Sequence, residues 1–157
     1  LSEKTLRVSD ERAAQAKAYF LKAVGMELDA LEGQLEASRT AVGYGISEVT
    51  AGATRGPTYA VEWRTNVFSS QLGKLRDVAD PLLIEVIHFY GEFGVLDQVR
   101  GAVNAVSAEF TAADASSGER DKVRPRLLIR LKSLHEKLED VSEKLMSLKA
   151  KLQVAQQ

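Results

Sequence analysis

The chain has 157 residues, 45% hydrophobic and 27% charged, which sets the expectation of one folded domain with a continuous core. Its 21 basic and 22 acidic residues leave a net charge of −1, which argues against a general nucleic-acid or anionic-membrane binder. With no cysteine, disulfides, thiolate metal sites and cysteine nucleophiles are excluded, and no apolar run reaches the roughly 18 residues of a membrane-crossing helix.

The sequence opens Leu1-Ser2-Glu3 without an initiator methionine, which reads as a trimmed or processed chain whose preceding residues matter. Residues 1–8 are expected to form a polar lead-in, with Ser9 or Asp10 capping a first helix over 10–41. Along that helix Leu21, Val24, Leu28, Leu31, Leu35 and Val42 follow a heptad seam, with Ser38 in one slot. Gly25 and Gly33 lie inside it, and close approach to a neighbouring helix is the expected reason. Gly43, Gly45, Gly52, Gly56 and Pro57 then mark residues 43–57 as a loop with no chemical cluster.

Val61, Arg64, Val67 and Phe68 fit helical spacing and predict a shorter helix over 58–72, interrupted at Gly73. Trp63, the one tryptophan, is expected to close one end of the core with its indole N–H bonded. Asp80-Pro81 is a helix start, an N-cap followed by proline at the first helical position, and predicts a helix over 81–112. Leu82, Val86, Phe89, Phe93, Leu96, Val103 and Phe110 form one seam, and Leu83, Ile87 and Tyr90 a second beside it. The first half of this helix is therefore apolar over a broad arc and should sit centrally. Ala113 to Gly118 reads as a turn.

The last helix, 120–155, carries Leu127, Leu131, Leu134, Leu138, Val141, Leu145, Leu148, Leu152 and Ala155 at alternating steps of four and three. A strand cannot use this spacing, because its side chains alternate with period two. A single seam cannot be buried alone, so the other helices must cover it. The expected fold is an all-α antiparallel helical bundle of three long helices plus a shorter, broken one, up-down-up-down, with coiled-coil-like heptad packing. Acidic Glu27, Asp29, Glu32 and Glu36 would then meet basic Arg120, Lys122, Arg124, Arg126, Arg130 and Lys132 across antiparallel helices.

Catalytic constellations find little support. Glu85 and His88 have the Glu-x-x-His spacing of di-iron bundles, but no second pair exists, and both belong to a polar stripe. His135-Glu136 begins a zinc-protease motif, but Glu139 stands where the second histidine is required. The glycine clusters lack the remaining residues of dinucleotide or phosphate loops. No catalytic, metal or cofactor-binding residue is assigned. Trp63, Phe68, Phe89, Tyr90 and Phe93 are the candidate lining of a small apolar ligand pocket, with a place in the core as their plainer role.

The run Tyr19-Phe20-Leu21-Lys22-Ala23-Val24-Gly25-Met26-Glu27-Leu28-Asp29-Ala30-Leu31 resembles the segment after the membrane helix in a widespread, uncharacterised bacterial family. Those proteins have one N-terminal transmembrane helix, a charged stretch, a helix of this type, a Trp-containing short helix and a helix with a central Tyr. Ser9-Asp10-Glu11-Arg12, Trp63 and Tyr90 occupy comparable places, and the likeness spans residues 9–110. The resemblance implies a membrane-tethered helical domain whose anchor lies upstream of Leu1, and it supplies no catalytic residues.

The expected function is a non-catalytic helical interaction or sensory domain of a membrane-anchored bacterial envelope protein. It would work through a protein partner or self-association, without nucleic acid. The alternative is a soluble cytoplasmic coiled-coil scaffold that self-associates through the last helix.

Overall fold

Helix-forming periodicity over most of the chain yields four α-helices and one 3-10 turn, with no strand among the described residues. They are α1 (Glu3–Thr50), α2 (Asn66–Gln71) followed by the 3-10 turn Leu72–Leu75, α3 (Pro81–Ala112) and α4 (Glu119–Ala155). The computed structural model describes residues 2–75, 80–114 and 116–156. The expected anchor upstream of Leu1, and Ala115 within the expected turn, lie outside the described residues. No helix among the described residues is long and apolar enough to cross a membrane.

α1 corrects the sequence reading at both ends. It starts at Glu3, where the Ser2 hydroxyl accepts from the Thr5 N–H (3.3 Å), so Ser9 and Asp10 lie inside the helix. It also runs through Gly43 and Gly45 to Thr50. Two interior glycines cost about 1 kcal/mol each. Burial of Val42, Gly45 and Val49 in line with the seam outweighs that, because packing of an apolar face contributes more than propensity. The helix stops where Gly52 takes a left-handed φ of 100°. Residues 3–16 are exposed throughout and extend α1 as a free rod of about 20 Å.

α3 begins as its sequence predicts. Asp80 accepts from the Leu82 (2.8 Å) and Leu83 (3.4 Å) N–H groups, and Pro81 takes the first turn. The Lys17 ammonium holds the Asp80 carboxyl below the usual aspartate range, joining the start of α3 to α1. α4 starts after Gly118, whose φ is 76°, and includes Pro125 in its second turn.

α4 packs against both α1 and α3. Lys149 meets Asp29 (2.6 Å) and Glu32 (2.7 Å), while Arg124 reaches the Val49 carbonyl (2.8 Å), so residue numbers fall along α4 as they rise along α1. The same sense relates α3 and α4: Glu85 pairs with Lys151, Glu92 with Lys137 and Glu109 with Arg126. α1 and α3 share one direction, since Lys17 meets Asp80 and Glu27 meets Tyr90. The seam of α4 from Leu127 to Leu152 is buried at every apolar position, and only its last member, Ala155, is exposed.

Three expectations fail here. The acidic patch of α1 meets Lys149 near the end of α4, and not the basic start. Because α1 continues to Thr50, the basic residues lie beside its last turns instead. Arg126 pairs with Glu109 of α3 (2.8 Å), and Arg124 lies over the Phe110 ring (5.3 Å). Ile87 is 42% exposed, as is neighbouring Ile84 at 49%, so the second seam of α3 is buried only at Leu83 and Tyr90. Gly25 and Gly33 are not close-approach sites: a Cβ at either would meet nothing within 4 Å. Gly25→Ala and Gly33→Ala are accordingly expected to raise stability by up to about 1 kcal/mol each, through helix propensity alone. Urea unfolding would measure this, and a loss of stability in either variant would contradict the open space.

The lysines of α4 create a pH dependence. Glu92 lies between Lys137 (2.6 Å) and Lys144 (2.8 Å), and these ammonium groups, Lys137 first, hold its carboxyl below the ordinary 4.5. A carboxylate depressed in the folded state contributes stability above its unfolded pKa and loses it as pH falls through the folded pKa. Stability is therefore expected to hold down to about pH 5 and to fall below about pH 4.5. Glu92→Gln should make that fall shallower. Urea midpoints across the acid range would show it, and an unchanged slope would remove Glu92 from the account.

Candidate strap and flanking clefts

Residues 56–65 contradict the helix expected over 58–72: they carry no helix, and α2 begins only at Asn66. Their contacts measure their extension. Gly56 bonds Thr111 and Trp63 bonds Asp97, so seven residues of this segment span fourteen of α3. At 1.5 Å per helical residue that is about 21 Å, or about 3 Å per residue, the rise of an extended chain. Burial alternates accordingly. Tyr59, Val61, Trp63 and Thr65 are half-buried, and Thr58, Ala60, Glu62 and Arg64 are exposed. This alternation was the missed sequence signal: Tyr-Ala-Val-Glu-Trp-Arg has period two.

The segment is a strap running back along α1 and α3. An extended chain without a neighbouring strand must satisfy its backbone groups otherwise, and side chains do so here. Asn104 clamps Tyr59 from both sides, its Oδ1 accepting from the Tyr59 N–H (3.0 Å) and its Nδ2 donating to the Tyr59 carbonyl (2.8 Å). Gln34 does the same across two residues, donating to the Glu62 carbonyl (2.8 Å) and accepting from the Arg64 N–H (2.9 Å). Arg100 donates to the Val61 carbonyl (2.6 Å), and Ser107 to the Pro57 carbonyl. The Trp63 indole N–H donates to Asp97 (3.0 Å), as expected of a half-buried indole.

Glu27 anchors the lower end. Its carboxylate, in a residue 7% exposed, accepts from the Val67 N–H (2.7 Å), the Phe68 N–H (3.2 Å) and the Tyr90 hydroxyl (2.7 Å). Thr65 gives α2 no side-chain cap, so a carboxylate from α1 takes the place of one. Burial and then the Glu27 carboxylate raise the Tyr90 phenol far above its ordinary value, so it remains a donor. Burial, with Glu48 second, pushes Tyr59 up to about 12.

The five aromatics singled out from sequence form one cluster. Phe68 stacks on Tyr90 (4.0 Å, 7°), Trp63 tilts against Phe93 (5.1 Å), and Phe89 meets Tyr90 and Phe93 edge-on. Phe89, Tyr90 and Phe93 are buried, and Trp63 and Phe68 pack against them. These rings contact one another, and the space lies beside them. A cleft of about 400 Å³ with a mixed lining opens towards Gly94 and Asp97. A second, of about 300 Å³ and mainly apolar, lies between the strap and α1. Sequence reasoning missed the α1 residues of the second cleft, Ala37, Ser38 and Ala41, for which the small residue in the heptad slot was the available signal.

Glu85 and His88 are exposed on α3, with Glu85 paired to Lys151. His135 lies 3.5 Å from Glu139. Among the described residues, no group of three or more His, Asp or Glu side chains is placed to hold a metal ion. No family model, curated protein or solved structure matches the chain.

Proposed function

We propose that the chain is a non-catalytic helical interaction or sensory domain of a membrane-tethered bacterial envelope protein. In this reading its three long helices pack as an antiparallel bundle with coiled-coil-like heptad seams, and the strap stands in for the second leg of an up-down-up-down arrangement. The supporting observation is the use made of the polar groups. Gln34, Arg100, Asn104 and Ser107 donate or accept hydrogen bonds that hold the strap, and Glu27 holds the start of α2 that follows it. A scaffold is what this arrangement serves. The exposed rod of α1, residues 3–16, suits a stalk that sets the domain away from an anchor.

The test is alkaline carbonate extraction of membranes from the native cell, probing the full-length protein. Retention in the pellet is the expected result, and complete solubility would overturn the tether. A second reading, a self-associating cytoplasmic scaffold, draws on the exposed apolar residues of α4, Ile129, Met146 and Val154. Sedimentation equilibrium at high concentration decides it, since a monomeric mass would remove it.

A further inference from the structure

The cleft between the strap and α1 is built into the fold. On the α3 side the strap is fixed at Gly56, Pro57, Tyr59, Val61 and Trp63 by side chains of Thr111, Ser107, Asn104, Arg100 and Asp97. On the α1 side, among the described residues, it is hydrogen-bonded at its two ends. Gln34 holds Glu62 and Arg64 at one end. At the other the Tyr59 hydroxyl reaches the Ala41 carbonyl (3.4 Å), its ring passing over Gly45 where a Cβ would fall 2.1 Å from Oη. Facing the strap, α1 offers Ala37, Ser38 and Ala41, and the strap offers the half-buried Tyr59, Val61 and Trp63, with exposed Ala60 at the mouth. The small side chains of α1 leave a gap before the strap, and the bonds to α3 prevent the strap from closing it. The floor is the buried core itself, Leu96, Leu134 and Leu138.

The charge at the site is already matched. Arg100, which lines the cleft, donates to the Val61 carbonyl and pairs with Asp97 (3.2 Å). The Ser38 hydroxyl makes no side-chain hydrogen bond to another described residue. The volume, about 300 Å³, is twice that of an engineered apolar cavity known to take benzene, which corresponds to a ligand of about a dozen heavy atoms.

We propose that this cleft is a binding site for a small, uncharged, largely hydrocarbon molecule with at most one hydroxyl or carbonyl group, held between the strap and α1 with its polar end at Ser38. The proposal goes beyond the interaction reading and does not depend on a membrane tether. Occupancy would brace the strap on its free side and so couple a ligand to the exposed face of residues 58–64.

Trp63 lines the cleft and is the chain's one tryptophan, so its emission reports on the site directly. The experiment titrates the full chain with 1-decanol, following Trp63 emission and the thermal midpoint. The expected result is a saturable change, with the midpoint raised by about 4 °C at roughly ten times the dissociation constant. Ser38→Leu should fill the α1 wall and abolish both responses. Ala41→Leu fills the same wall one turn further along α1 and decides the matter alone if the first variant does not fold. An emission change that rises without saturating, or one that survives in a folded filled variant, would overturn the proposal. Equal binding of decanoate would overturn the assignment of an uncharged ligand.

Discussion

Glu27→Ala is expected to destabilise the protein by about 4 kcal/mol, because among the described residues its carboxylate is the acceptor for three donors, one buried and two half-buried. The Val67 and Phe68 N–H groups are the early donors of α2, and the Tyr90 hydroxyl is buried, on a ring packed against Phe68 and Phe89. Each unsatisfied buried donor costs about 1–3 kcal/mol, and partial access of water to α2 reduces the sum. Glu27→Gln separates charge from hydrogen bonding. Its carbonyl can take over the role of Oε1 towards Phe68 and Tyr90, but its NH2 group then faces the Val67 N–H, donor against donor. A smaller loss of about 2 kcal/mol is expected. Urea unfolding followed by far-ultraviolet circular dichroism gives both values. A loss below about 1 kcal/mol for alanine would mean that the lower strap contributes little to folding. A parallel change in Trp63 emission would show whether the strap lifts before the helices separate.

The second large effect is expected at the other end of the strap. Gly56→Ala should cost about 3 kcal/mol, since a Cβ there would fall 2.1 Å from Ser107 Oγ, 2.9 Å from its carbonyl oxygen and 3.0 Å from its Cα. Two of these atoms are backbone of α3, so turning a side chain aside does not relieve the clash. Ser107 is 1% exposed and its hydroxyl donates to the Pro57 carbonyl, so displacement of Gly56 also breaks that bond. Ser107→Ala in the Gly56→Ala background should restore only part of the loss, because it removes Oγ and leaves the backbone contacts. A double-mutant cycle on thermal midpoints tests this, and full rescue would place the whole clash on the hydroxyl. Gly45 is the instructive contrast. The atom nearest its missing Cβ is the end of the Tyr59 side chain, which can swing away, so Gly45→Ala should cost less than Gly56→Ala.

Both variants act on an element that helical periodicity did not reveal. Val61, Arg64, Val67 and Phe68 satisfy helical spacing as well as many true helices do. The alternation from Tyr59 to Thr65 satisfies a strand equally well, and short segments carry both patterns. What decides between them is the supply of partners for the backbone. A helix satisfies its own N–H and C=O groups, whereas an extended segment needs outside donors and acceptors. Asn104, Gln34, Arg100 and Ser107 supply them from helices 28 to 50 residues away in sequence. No local reading of residues 58–72 can see those partners.

The sequence by itself determined the all-helical character, the start of α3 at Asp80-Pro81, and the face that α4 buries from Leu127 to Leu152. These depend on local chemistry, namely a side chain capping the next turn and an apolar repeat that matches the helix period. The tertiary structure alone decided how far α1 runs, which charges pair across α4, and that Glu27 faces α2 and Tyr90 from the middle of an apolar seam. It also decided that Gly45 and Gly56 serve close passage of the strap while Gly25 and Gly33 face open space. These outcomes depend on what packs opposite each residue. A penalty such as glycine in a helix, or a buried carboxylate, is local, whereas the burial or the donors that offset it come from distant parts of the chain.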